Sequence, residues 1–156
     1  MKFLFLTKKL TTGMKAVDDQ HREFFRRINA FSRHCAEAEC SRERVIHLFG
    51  YLHAYGIEHF RFETELMKEY EYPGMAEHLR EHKRFREYVE KTRAELATRE
   101  LSIDFTLQVN YFLVDWFKEH IQLIDRKMTG FLTEVAHQRA DHKLLALIKG
   151  LLPGGT

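Results

Sequence analysis

The chain has 156 residues, of which 44% are hydrophobic and 13 are phenylalanine, enough apolar material for one domain with a substantial core. Lys and Arg number 25 against 23 for Asp and Glu, and a net charge of +2 gives no strong pull toward nucleic acid or a membrane surface, which leaves small ligands or proteins as partners. Cys35 and Cys40 form neither a CxxC motif nor part of a disulfide-rich framework, the apolar run from Met1 to Leu6 is too short for a signal-peptide core, and no later stretch approaches a membrane span. A soluble, cytoplasmic protein with two inert, reduced thiols is the expectation.

Only Pro73 and Pro153 interrupt the chain, and no segment alternates apolar and polar residues between turn signals, so the predicted fold class is all-α. A first helix is expected to start near Asp18 or Asp19, with Val17, His21, Phe24, Phe25, Ile28, Phe31 and Cys35 along its apolar stripe. Ser41 can cap a second helix running to about Tyr70, whose inner side carries Val45, Phe49, Leu52, Gly56, His59, Glu63, Leu66 and Met67. Tyr72-Pro73-Gly74 then breaks the chain, because the residue before proline is pushed out of helical geometry and glycine tolerates the turn.

A third helix is predicted from about Met75 to Ala97, followed by a short connection over residues 98–102. The fourth carries Phe105, Val109, Phe112, Leu113, Trp116, Phe117, His120, Ile121, Ile124 and Met128, with Gly130 expected to interrupt or end it. A fifth helix follows from Phe131 to Leu152, stopped by Pro153-Gly154-Gly155. Its leucines favour packing back onto the other helices, with a self-association surface as the second use. The chain thus divides into a bundle over residues 1–130 and a helical extension over 131–156.

Seven residues of metal-ligand type fall on these inner stripes: His21, His59, Glu63, His78, His82, His120 and Asp125. Residues four apart on a helix share a face, so His59 with Glu63, and His78 with His82, can each close on one site. His120 and Asp125 are five apart, a rotation of about 140° on ideal geometry. Both reach one site only if the helix bends, widens into a π-bulge, or lets Asp125 reach across. Five imidazoles and two carboxylates without thiolate suit iron or manganese better than structural zinc. If Glu63 and Asp125 bridge two cations, three imidazoles and a solvent-derived bridge saturate one, and the other, with two imidazoles, keeps a position open to a small ligand. His34, His47, His53, His137 and His142 lack partners at ligand spacing and read as surface or ordinary core histidines.

These motifs resemble the hemerythrin family: Val17-Asp18-Asp19-Gln20-His21, Glu58-His59-Phe60-Arg61-Phe62-Glu63, His78-Leu79-Arg80-Glu81-His82, and Trp116-Phe117-Lys118-Glu119-His120-Ile121 with Asp125. The resemblance covers about residues 10 to 130 and implies an antiparallel up-down-up-down four-helix bundle holding two non-haem iron ions with an oxo or hydroxo bridge. On that pattern His78, His82 and His120 hold the saturated iron, His21 and His59 the open one, and Glu63 and Asp125 bridge. It implies reversible dioxygen binding by a carrier, store or supplier that is not an enzyme. The alternatives are an oxygen or redox sensor, or a diiron enzyme acting on nitric oxide, peroxide or ferrous iron. Trp116, Phe117 and Ile121 are the expected ligand pocket. Phe117 stands where similar proteins often place leucine, so its ring either narrows ligand entry or fills core.

Overall fold

The computed structural model describes residues 1–37 and 40–152, and among them every regular element is helical. Four elements form an antiparallel up-down-up-down bundle: α1 (Lys15–Glu37), α2 (Arg42–Glu69), α3 (Met75–Glu95) and α4 (Ile103–His120). A π-helical segment, Ile121–Asp125, continues α4 directly into α5 (Arg126–Arg139), and α6 (His142–Lys149) folds back against α1 and α5.

The caps explain most boundaries. Ser41 accepts from the Arg44 amide to start α2, and Ser102 accepts from the Phe105 amide at 3.1 Å to start α4. α1 starts at Lys15, earlier than expected, because Asp18 has a different task. Its Oδ1 accepts from the Thr12 amide at 2.7 Å and the Thr12 hydroxyl at 2.9 Å, and its Oδ2 accepts from the Gly13 amide at 3.2 Å. The carboxylate thus fastens the preceding loop to a helix already under way, and that loop turns at Gly13 with φ of 85°.

The expected break at Gly130 does not occur, and no helix spans 131–152 as one piece. Gly130 lies inside α5, and the chain breaks instead at Ala140 (φ 50°), after which Asp141 caps α6 by accepting from the Leu144 amide at 2.9 Å. Gly150 ends α6 in left-handed geometry, while the predicted stop at Pro153-Gly154-Gly155 lies outside the described residues. Leu144 and Leu147 are buried, so the C-terminal helix does pack back onto the bundle.

Two asparagines anchor the N-terminal strap without a strand partner. Asn29 accepts from the Leu4 amide at 2.8 Å and donates to the Leu4 carbonyl, and Asn110 pairs with the Lys2 backbone in the same way. Asn110 also donates to Ser32 at 2.6 Å, which links α4 to α1.

Cys35, in α1, and Cys40, just ahead of α2, are joined in a disulfide, which corrects the expectation of two inert thiols. The spacing of five residues permits it, with the two Cα atoms 4.4 Å apart. No helix among the described residues is long and apolar enough to cross a membrane.

Candidate metal centre

The core is two apolar clusters, and the seven ligand-type residues lie between them on all four helices of the bundle. Along α1, His21 separates Val17 of one cluster from Phe24 of the other; along α2, Glu63 separates Leu66 from Phe60. On the fourth rod, His120 and Asp125 flank Ile121 of one cluster, with Met128 of the other beyond. All seven are 2% exposed or less. Such burial of polar groups is costly unless they are mutually satisfied or bind a cation.

The π segment resolves the five-residue step. The wider turn adds a residue per revolution and swings Asp125 onto the inner face, where its Oδ1 lies 2.9 Å from His120 Nε2. Asp125 Oδ1 is also 3.2 Å from His78 Nε2, while Oδ2 is 3.2 Å from His21 Nε2. Glu63 Oε2 sits 3.1 Å from His82 Nε2, 3.3 Å from His78 Nε2 and 3.6 Å from His59 Nε2.

These atoms fall into two groups capable of holding a metal ion: Glu63, His78, His82, His120 and Asp125, and His21, His59 and Glu63, with donor atoms in each within 4.8 Å of one another. Glu63 belongs to both, and Asp125 turns one oxygen toward each.

Several of these donors lack hydrogen bonds despite their proximity. Both nitrogens of His21, His82 and His120, both oxygens of Asp125 and Oε1 of Glu63 are buried without a partner of hydrogen-bond geometry. The Nε2 lone pairs and carboxylate oxygens converge on shared space, and cations placed there satisfy them together. The donor set therefore fits a metal by its own chemistry.

Electrostatics within the centre are finely opposed. Burial and the Asp125 charge push the Glu63 carboxyl up, yet His59, His78 and His82 more than reverse this and hold it well below the usual carboxylate range. Asp125 is likewise held low against burial by His120, His21 and His78. Burial dominates at His59 and His82, which are drawn down to about 4, so both rings are neutral near pH 7 and available as ligands. Burial also opposes the charge on His78, but Asp125 and Glu63 together raise it to about 10.

Aromatic rings pack around the donors. Phe60 stacks on His82 with centroids 3.9 Å apart, and Trp116 stacks on His120 at 4.3 Å. Phe24 lies 5.5 Å from His59 and 4.9 Å from Phe117. Trp116, Phe117 and Ile121 are all buried. The site roles of Phe24, Phe60 and Gln20 escaped the sequence reading: the two rings sit on core stripes, and Gln20 adjoins His21 without ligand spacing. Gln20 Oε1 lies 2.6 Å from His59 Nδ1. None of His34, His47, His53, His137 and His142 is buried or joins the centre. A cavity of about 790 Å³ lies elsewhere, lined by residues of α1 and α2 such as Arg27, Phe31, His34 and Tyr51, and none of the seven lines it.

Fold and site together define a helical-bundle protein with a buried cluster of histidines and carboxylates that can hold metal. The sequence matches the hemerythrin HHE cation binding domain over residues 12–132. It is 30% identical over 122 residues to a bacteriohemerythrin of Stenotrophomonas maltophilia (strain R551-3), covering 78% of this chain and 76% of that protein. The chain belongs to the hemerythrin family. Solved structures of wild-type hemerythrin and of a hemerythrin point mutant superpose with a TM-score of 0.67 each, at 23% and 24% identity, covering 81% of this chain and 94% of theirs. The family binds non-haem iron and small ligands such as dioxygen.

Proposed function

We propose that this centre holds two non-haem irons joined by an oxo or hydroxo bridge and binds dioxygen reversibly without turning it over. The sharing of the two carboxylates carries the reading: Glu63 belongs to both donor groups, and Asp125 directs an oxygen to each. A single carboxylate bridges two cations readily, whereas a neutral imidazole binds one. His78, His82 and His120 would hold one iron and His21 and His59 the other, with Glu63 and Asp125 shared between them, so the second would have one protein ligand fewer. Iron held by these residues would supply the two electrons that dioxygen takes up on binding and returns on release.

The chain's own residues set the conditions for that exchange. Phe24 packs against His59 and Phe117 against Phe24, and with the equally buried Ile121 these apolar side chains would limit water and proton access to the two-histidine side. Phe60 and Trp116 hold the planes of His82 and His120 by stacking. Self-association through the C-terminal helix has less apolar surface to draw on than its sequence suggests, since Leu144 and Leu147 are used within the chain.

The test is anaerobic loading with ferrous iron followed by cycles of oxygen and its removal. A charge-transfer absorption band that appears with oxygen and disappears on its removal, over repeated cycles, is the expected result. A band that forms once and persists, or sustained oxygen consumption, contradicts reversible binding.

A further inference from the structure

The outer nitrogens of the five imidazoles are not treated alike. Nδ1 of His21, His78, His82 and His120 meets no hydrogen-bond partner, whereas His59 Nδ1 is 2.6 Å from Gln20 Oε1. Gln20 is itself buried, 7% exposed, and precedes His21 in α1. One helix therefore presents a donor of its own and, from the neighbouring residue, a support for the donor of the facing helix.

An amide oxygen only accepts, so this contact needs the proton on His59 Nδ1. A neutral imidazole has one N–H, which leaves the lone pair on Nε2. Nε2 points toward Glu63 Oε2 at 3.6 Å, and that carboxylate competes for the same proton. A proton drawn to Nε2 removes the lone pair that a metal needs. The shorter amide contact opposes the longer carboxylate contact, and it does so with a neutral group that transfers little anionic character to the ring.

We propose that Gln20 is a positioning residue for the two-histidine side of the centre, fixing the His59 tautomer so that Nε2 is free to bind metal. The consequence for iron rests on the diiron reading above; the tautomer does not. Long-range proton–nitrogen correlation spectra of the metal-free protein at neutral pH report the protonated nitrogen directly. Wild-type His59 is expected as the Nδ1–H form, and Gln20→Leu is expected to shift the ring to the Nε2–H form. An Nε2–H ring in the wild type, or an Nδ1–H ring that persists in Gln20→Leu, overturns the proposal.

Anaerobic ferrous titration gives the second readout. Gln20→Leu is expected to weaken the second equivalent by about 10–100-fold and leave the first unchanged, with Gln20→Glu restoring the second because a carboxylate also accepts. No weakening, or equal weakening of both equivalents without rescue, counts against the proposal. A wild-type protein that takes up fewer than two irons overturns the diiron reading instead, while the tautomer spectra still judge Gln20.

Discussion

Glu63 and Asp125 carry the centre because each faces two sets of imidazoles, and their charges are what the buried rings lean on. Glu63→Gln preserves shape and one acceptor oxygen but removes the charge shared by both groups. Its iron content after loading and desalting is expected to fall from two per chain to one or fewer, as is that of Asp125→Asn; retention of two irons by both variants speaks against bridging. The seven donors were legible in the sequence because helical spacing and apolar neighbours place them on inner faces. Gln20 was not, since the residue beside a ligand points away on a helix and only the packing of α2 against α1 brings His59 to it. Asp18 misled for a related reason: aspartate at a helix start is usually its cap, and here it fastens the preceding loop.

The fourth rod shows where local and global preferences divide. A wider turn at Ile121–Asp125 was one of three geometries compatible with the sequence, and the need to bring His120 and Asp125 to one point selects it. Gly130 looked like a helix end, but packing on both sides carries the helix past it, at the usual conformational cost of glycine. A Cβ added there meets nothing within 4 Å. Gly130→Ala is thus expected to stabilise the protein by about 0.5–1 kcal/mol in urea unfolding; destabilisation contradicts an unbroken helix. At α6, Asp141→Ala removes the cap and is expected to cost about 0.5–2 kcal/mol. The Leu144 amide, foremost, holds the Asp141 carboxyl below its ordinary value of 3.8. A carboxyl depressed by folding stabilises above its unfolded pKa and loses that contribution as pH falls through the folded one. The gap between wild type and Asp141→Ala should therefore close as pH drops below about 4, and a gap unchanged by acid argues against the cap.

At the scale of the molecule, one polar layer divides the hydrophobic core, so the bundle and the centre depend on each other. Donors gathered from four helices would hold metal only in the folded arrangement, which would couple iron to stability by mass action, worth about 2.7 kcal/mol at a hundredfold excess over the dissociation constant. Removing iron with a chelator is expected to lower the melting temperature by several degrees, with restoration on ferrous reloading. An unchanged melting temperature separates the centre from the fold. The bundle itself was readable from caps, turns and helical stripes, while the N-terminal strap and the disulfide were not. Asn29 and Asn110 give no periodic signal, and the Cys35–Cys40 pairing depends on the approach of two Cα atoms that sequence spacing does not give.

On the proposed reading the two irons are unequal, one fully coordinated by protein and bridges and one with a position free. Mössbauer spectroscopy of protein loaded with enriched iron and exposed to oxygen measures that inequality directly. Two quadrupole doublets of equal area, from a spin-coupled pair in two environments, are predicted. A single mononuclear ferric signal, or iron spread over unrelated sites, contradicts it.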